Sequence, residues 1–577
     1  MTFFVFMFLL GCICILSDPE TYKTTTFFQL LFDDYIVCLL LSLIPGRART
    51  WIKGVLYVIL YAFAFIDVYC IVRLGSGINP TLVQTALATN SSEASEAFKT
   101  YISFNYFLSP ILLVLFCLLL QIFYSYKNRN KIVEKSFVRK SSLISLRTKK
   151  IISLGFIVLL IVSAVIDFTP KRFFAVILKG NVDNYMILNC RKDVYHAGEI
   201  YYIPIYKFIY SLKVNSYGFE DVNNIKKTIS EIDIKQCNYK SPNIILIIGE
   251  SHSKHHSELY DYSLPVTPFQ MERYKNGDLF PFSNVISPFS YTLDSFKNLF
   301  SISSIGDKGK WTDYPLFPAI FRKAGYHTTF ITNQFTQDSK NFVDQYVGMF
   351  FNNREVSDSL FDVRNKHKHE FDGDLISDYD SLQVFNTKNN LIIFHLIGLH
   401  AEYKERYPDS FKRFSIDDYK NRKLTKEQKQ ILADYDNAAL YNDFVLEQII
   451  KKFEKEDAII VYVPDHGEEC FDGNTDHGRP VRYNPVDVYQ MFQIPFWIYM
   501  SKTYQEKNPD IVESIKKSTN KPFMTDQIGQ MLLFLGGIET KWFKNKDNIL
   551  DDNFNEKRKR IIKNDTNYDE LIKKLKL

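Results

Sequence analysis

Five apolar runs, at residues 3–16, 29–44, 52–72, 106–124 and 151–166, crowd the start of the chain and constrain everything that follows them. A helix crossing the ~30 Å hydrocarbon core needs about 20 residues, with ~17 as a lower limit. The last three runs reach that length with their flanks. The first two are shorter, and the second carries Asp33 and Asp34, which read as residues of a membrane–water boundary. No basic residue precedes the run at 3–16 and no clean small-x-small site follows it, so it reads as a retained span rather than a cleaved leader. The mean hydropathy of −0.13 is therefore an average over two unlike parts. With 46% hydrophobic, 15% aromatic and 23% charged residues, the 577-residue chain is neither disordered nor purely soluble, and it is long enough for more than one domain.

Loop charge orients the spans. Arg47 and Arg49 lie between the second and third runs, with Lys53 at the very start of the third, and nine basic residues against the single acid Glu134 lie between Lys127 and Lys150. The connection after the third run is nearly neutral, with Glu93 and Glu96 against Lys99. Positive loops stay in the cytoplasm, so five crossings from a cytoplasmic N-terminus place everything after about position 168 on the outer side. The same rule accounts for the basic loop without nucleic acid, for which no motif is present. Of eight cysteines, Cys190, Cys237 and Cys470 fall outside the spans. An oxidising compartment allows one pair among them, expected as Cys190–Cys237.

Residues 169–240 read as a connector rich in Tyr and Lys, with an amphipathic segment at 201–212 suited to the membrane surface. From Pro242 the pattern changes. Short β-branched or aromatic runs at 243–248, 328–332, 391–396, 458–463 and 494–500 alternate with helical stretches such as 426–452. The expected fold class is α/β: a mostly parallel sheet covered by helices on both faces. The expected domains are 1–168 (five-helix transmembrane), 169–240 (connector) and 241–577 (catalytic).

Chemistry in such sheets gathers where strands end. Here the strand ends run into Gly249-Glu250-Ser251-His252, His395-Leu396-Ile397-Gly398-Leu399-His400 and Pro464-Asp465-His466-Gly467-Glu468, followed by Asp476-His477-Gly478. Carboxylate and imidazole at several strand ends of one domain point to an N/O metal site, for which zinc is suited. The bland readings differ in weight. Glu250 alone reads equally well as a helix cap, and Asp465-His466 ending a buried strand favours a ligand over a structural ion pair. His395 alone reads as a core histidine. His252, His255 and His256, beside Lys254, read as phosphate contacts or solvated surface. A nucleophile is available in Ser290, Thr292 or Ser295, before the helical pattern at 296–300. Each hydroxyl could equally be a cap, and spacing leaves the choice open.

These residues carry a signature. Gly249-Glu250-Ser251 with Tyr260-x-Tyr262 and Thr267-Pro268, Tyr291-Thr292-Leu293, Thr332-Asn333-Gln334, His395 to His400 with Arg406-Tyr407-Pro408, Tyr435-Asp436-Asn437-Ala438 and Asp465-His466-Gly467-Glu468 together resemble the membrane-bound phosphoethanolamine transferases that modify lipopolysaccharide, within the alkaline phosphatase/sulfatase superfamily. The resemblance implies Thr292 as nucleophile and Glu250, Asp465 and His466 as zinc ligands with Thr292 Oγ as the fourth. It implies His400 and His477 as outer-site groups that bind phosphate or protonate the leaving group. Thr89 and Glu93 match positions that hold the lipid headgroup, with Thr85 standing where the family has Asn. Lys340 is matched to a phosphate contact, and His395 is placed among the substrate-binding residues. Phosphatidylethanolamine is the implied donor, lipid A or lipopolysaccharide core the acceptor, and the bacterial inner membrane the location, with the catalytic domain in the periplasm and the chain a monomer without nucleic-acid partner. Alternatives are a phosphoglycerol transferase with the same architecture and a non-catalytic membrane sensor. A sulfatase activity is disfavoured because Ser287-Pro288-Phe289 lacks the Cys/Ser-x-Pro-x-Arg maturation pattern, and a transporter because the five spans hold no basic residue within the membrane and half the chain lies outside them.

Overall fold

In the computed structural model the chain divides into two units, Met1–Gly218 and Phe219–Leu577. The residues described are 2–17, 24–42, 44–74, 77–78, 82–83, 110–135, 203–290, 292–334, 353–382, 388–473, 477–478, 485–563 and 566–575.

The apolar runs of the first unit form helices α1 (Thr2–Ser17), α2 (Thr24–Ser42), α3 (Gly46–Leu74) and α4 (Pro110–Lys135). Phe6, Leu10 and Cys14 of α1 pack with Tyr61, Ala64 and Val68 of α3 and with Ile111, Val114 and Cys117 of α4. Other apolar side chains of the same helices face outward: Trp51 is 79% exposed, Val58 72% and Leu119 63%. An outer surface of this kind suits lipid rather than water. Two stretches, Gly46–Val72 and Pro110–Lys127, are long and apolar enough to cross a membrane, and α1 is a shorter apolar helix. The expected fifth run, 151–166, lies outside the described residues, so the described residues supply two such helices rather than five. Asp33 and Asp34 are buried within α2.

Helix α5 (Pro204–Ser230) takes in most of the expected amphipathic segment, and the boundary between the units falls within it. Cys190 lies outside the described residues. The Cys237 thiol lies 3.7 Å from the Gly536 carbonyl oxygen.

The second unit is built on β1 (Asn243–Gly249), β2 (Leu279–Phe282), β3 (His327–Thr332), β4 (Val363–Arg364), β5 (Asn390–His395), β6 (Ala458–Pro464), β7 (Glu469–Cys470), β8 (His477–Gly478) and β9 (Phe496–Met500), of which β1, β3, β5, β6 and β9 are the five expected from the sequence. Seven of them form one sheet in the order β2-β9-β6-β1-β5-β3-β4, with β7 and β8 paired separately. From β6 to β4 every pairing is parallel, whereas β9 runs antiparallel to β6 and β2. Continuous apolar runs are what such a sheet requires, because both of its faces are covered. Ile244, Leu246 and Ile248 join one core with Phe296 and Phe300 of α6 (Thr292–Phe300). Ile245 and Ile247 face the other core with Leu432, Ala439 and Leu446 of α7 (Lys426–Phe453). Helix α7 starts with a reciprocal cap: Thr425 Oγ1 accepts from Gln428 N at 3.2 Å, and Thr425 N donates to Gln428 Oε1 at 2.9 Å. Strand β2 escapes a sequence reading because it contains Pro281. Proline is tolerated there because β2 is an edge strand.

Candidate active site

Register brings the site together. Gly249 of β1 pairs with Pro464 of β6, so the residues that follow, Glu250 and Asp465, leave the sheet side by side. Asp465 N donates to Gly249 O at 3.0 Å, and Asp465 Oδ1 accepts from Ser251 N at 3.1 Å and His466 N at 2.8 Å. His466 Nδ1 lies 2.8 Å from the Gly467 carbonyl, which calls for a proton on Nδ1 and leaves Nε2 as the lone-pair nitrogen. That Nε2 is 3.2 Å from Asp465 Oδ2 and 3.5 Å from Glu250 Oε1. One ligand atom from each of Glu250, Asp465 and His466 falls within 4.8 Å of the others, and all three side chains are buried. Gly467 has to be glycine: a Cβ there would stand 2.8 Å from the Gln490 and Gln493 carbonyl oxygens.

Glu250 does not cap a helix. The turn that follows it, Lys254–His256, is capped by Ser253. Its carboxylate instead accepts Ser251 Oγ at 2.8 Å on Oε1 and Thr292 Oγ1 at 3.1 Å on Oε2. Ser251 takes a positive φ of 56°, an uncommon conformation for a residue with a side chain. Tyr435 of α7 braces the turn, accepting from Ser253 N at 2.9 Å and donating to Ser251 O at 2.8 Å.

The structure separates the three candidate hydroxyls. Ser290 is buried, and Ser295 Oγ is 3.3 Å from both the Phe289 carbonyl and Ser287 Oγ. Thr292, at the first position of α6, has its Oγ1 3.1 Å from Glu250 Oε2 and 3.5 Å from His466 Nε2. Its place at the helix start also brings first-turn main-chain N–H groups and the positive end of the helix dipole close by, an arrangement that favours a phosphoryl group.

The remaining expectations fare unequally. His400 is half-buried in the loop after β5, and its N–H donates to Ile397 O at 3.1 Å. His477 is exposed on β8, its ring 5.1 Å from Phe471 and 6.4 Å from Tyr403. Tyr403 OH in turn donates to Glu468 Oε1 at 2.8 Å. His395 is fully buried, with Nδ1 3.0 Å from Thr332 Oγ1 and its ring 4.7 Å from Phe296. Burial lowers its pKa to about 3, so it is a neutral core histidine with no surface to offer a substrate. The reading of His252 and His256 as phosphate contacts or solvated surface is corrected: both are fully buried. His256 is held between Asp436 and Asp472, and His252 Nδ1 sits 2.8 Å from Tyr462 OH. His255 is half-buried, its ring 4.7 Å from that of Tyr489. Thr85, Thr89, Glu93 and Lys340 lie outside the described residues.

Sequence reasoning missed the polar frame around Glu250. Gln334 Nε2 donates to Glu250 Oε2 at 3.1 Å, and the buried Asp372 accepts from the main chain of Ile397 and Gly398. Gln334 stood in the Thr332-Asn333-Gln334 motif with no role attached, and Asp372 carried no signal.

Two carboxylates and one imidazole nitrogen, converging and buried, form a donor set that fits zinc. Residues 242–532, just over half of the chain, match the family described as Sulfatase. The chain belongs to the sulfatase family. Within this family it is similar to phosphoethanolamine transferase EptC of Escherichia coli K12, with 29% identity over 270 residues, 46% of each chain. It is also similar to the Kdo(2)-lipid A phosphoethanolamine 7''-transferase of the same strain, with 31% identity over 134 residues, 23% of each chain. The chain thus spans about half the length of the first relative and less of the second. Among solved structures, the C-terminal periplasmic domain of E. coli EptC in complex with Zn superposes with a TM-score of 0.51 and 25% identity, covering 59% of this chain and 95% of that one.

Proposed function

We propose that the chain transfers phosphoethanolamine from phosphatidylethanolamine to lipid A or the core of lipopolysaccharide, through a covalent intermediate on Thr292. The observation that carries this reading is the Thr292 hydroxyl, seated at the start of α6 within 3.1 Å of Glu250 and 3.5 Å of His466. Membership of the sulfatase family does not make the chain a sulfatase, since the nucleophile position holds Thr292 and no maturation motif precedes it.

Glu250, Asp465 and His466 would hold zinc, with Thr292 Oγ as fourth ligand. When bound, zinc lowers the pKa of a coordinated hydroxyl and offsets charge on a phosphoryl group. In the first half-reaction Thr292 Oγ forms a bond to phosphorus, the bond from phosphorus to the diacylglycerol oxygen breaks, and diacylglycerol leaves with a proton. In the second, a phosphate or hydroxyl oxygen of the acceptor attacks the same phosphorus and frees Thr292. His400 and His477 bind the phosphoryl oxygens or supply the proton to the leaving group. Lys340 adds a phosphate contact, while Thr85, Thr89 and Glu93 hold the donor headgroup. Two half-reactions at one residue give ping-pong kinetics.

Donor and acceptor are both lipids, which accounts for an enzyme joined to membrane helices. We place the chain in the bacterial inner membrane as a five-span monomer, with residues 241–577 in the periplasm and 169–240 as the connector along the surface.

Mass spectrometry of lipid A and core oligosaccharide from cells expressing wild type or Thr292→Ala tests the reading. A phosphoethanolamine increment with wild type alone is expected. A phosphoglycerol increment, or none on any lipid with the protein folded and zinc-loaded, would overturn it.

A further inference from the structure

The Thr332-Asn333-Gln334 segment leaves the end of β3 and reaches across to the loop after β5, and its three side chains have separate tasks. Thr332 Oγ1 lies 3.0 Å from His395 Nδ1. Asn333 Nδ2 donates to Asp372 Oδ1 at 3.0 Å, and Asp372 accepts Ile397 N at 2.9 Å and Gly398 N at 2.8 Å. Gln334 Nε2 uses one amide group twice, donating to Leu396 O at 2.8 Å and to Glu250 Oε2 at 3.1 Å. The loop is fastened to β1 independently, through Leu396 N to Ile248 O at 2.9 Å and Leu399 N to Glu250 O at 3.0 Å.

We infer that Gln334 is a positioning residue that holds the Glu250 carboxylate in the orientation needed to bind the metal. The inference rests on the reading of Glu250 as a zinc ligand. Ser251 Oγ donates to Oε1 and Gln334 Nε2 to Oε2, so both oxygens are oriented by neutral donors. Neutral donors are what the position requires. A lysine or arginine there would compete with the cation for the carboxylate, and a glutamate would set acceptors against both Oε2 and the Leu396 carbonyl. The amide also ties Glu250 to the loop that carries His400, so the ligand and that histidine are placed by one element.

Residues that orient a metal ligand typically contribute about 10- to 100-fold in metal affinity. The test is zinc binding by the full chain in detergent, stripped with a chelator and titrated with Zn2+ against a chromophoric competitor. Wild type is compared with Gln334→Met, which keeps length and loses the donor, and with Gln334→Glu. Zinc affinity is expected to weaken by about 10- to 100-fold in Gln334→Met and further in Gln334→Glu. Thermal unfolding of the zinc-free protein is expected to shift little in Gln334→Met. Unchanged zinc affinity in Gln334→Met overturns the inference while leaving the metal site standing. So does a fall confined to zinc-free stability, which is the mark of a structural role alone. Failure of wild type itself to bind zinc overturns both the inference and the site on which it rests. Should Gln334→Met not fold, Gln334→Asn keeps the amide but withdraws it by one methylene, and unchanged zinc affinity there is equally fatal.

Discussion

The imidazole of His256 bridges two carboxylates, with Nδ1 2.6 Å from Asp436 Oδ1 and Nε2 3.0 Å from Asp472 Oδ2, and has no exposed surface. Burial would lower its pKa, but Asp436 and Asp472 outweigh burial and push it up to about 10. Tyr262 and Tyr419 donate to the other Asp436 oxygen, and Arg422 to Asp472, so the cation sits in a closed polar cluster. A folded pKa above the unfolded value of about 6.5 stabilises the fold fully below pH ~6.5, and that stabilisation is lost as pH rises towards ~10, by up to about 1.4 kcal/mol per pH unit. His256→Ala is therefore expected to cost about 3–5 kcal/mol near neutrality, by stranding two carboxylates, and to flatten the fall of stability on the alkaline side. Thermal unfolding of both proteins in detergent from about pH 6 to about pH 9 checks it. Parallel pH curves for the two would refute the assignment. Nothing in the run of three nearby histidines marks which one is caged, because the cage comes from α7 and from the segment after β7.

Loops that follow parallel strands carry the site, and Gly398 shows how tightly one of them is packed. It has a φ of +48°, and a Cβ there would stand 2.9 Å from Glu250 N and 3.0 Å from Glu250 O. Gly398→Ala therefore has to displace the main chain of Glu250. A left-handed residue with a side chain costs roughly 1–2 kcal/mol, and moving a proposed metal ligand such as Glu250 by about 1 Å can cost about 100-fold in rate. Gly277 is the control, with a φ of +77° and no atom within 4 Å of the position a Cβ would take. Gly277→Ala is expected to lower the unfolding temperature by a similar backbone term and leave the proposed phosphoethanolamine transfer unchanged. Equal transfer rates for the two variants would show that the loop does not place Glu250. The five expected strands, four parallel and the antiparallel β9, fall within a residue or two of those observed, since strands buried on both faces are written as continuous apolar runs. The edge strand β2 and the two-residue β4 have no such run to be found by.

In the N-terminal unit, a buried ion pair joins distant parts of the chain. Lys207 Nζ of α5 lies 2.7 Å from Asp67 Oδ2 of α3, and Asp67 Oδ1 also accepts Ile78 N at 2.8 Å. Both side chains are buried, and Gly77 packs directly against them. Removing one partner from such a pair is costlier than replacing both. Asp67→Leu is expected to destabilise the protein in detergent by about 3–5 kcal/mol, and Asp67→Leu with Lys207→Met to recover most of the loss. Unfolding curves for the single and double variants decide it, and a double variant no better than the single would exclude a paired role. The sequence shows Asp67 as one acid in an apolar run, and its partner stands 140 positions away.

What could be read in order along the chain was whatever depends on local pattern: apolar helices long enough to cross a membrane, the α/β sheet from alternating runs, and the acids and histidines at strand ends. Those features are set by burial and by hydrogen-bond periodicity, which act on neighbours in sequence. Other features came only with the tertiary structure. Which of the three hydroxyls, of Ser290, Thr292 or Ser295, stands beside Glu250 and His466 depends on contacts 42 and 174 positions apart. The cage of His256 and the placement of Gln334 against Glu250 depend on contacts of comparable range, 180 and 84 positions apart. A side chain's role in such a site is fixed by the groups within a few ångströms of it, and strand register and loop packing decide which groups those are.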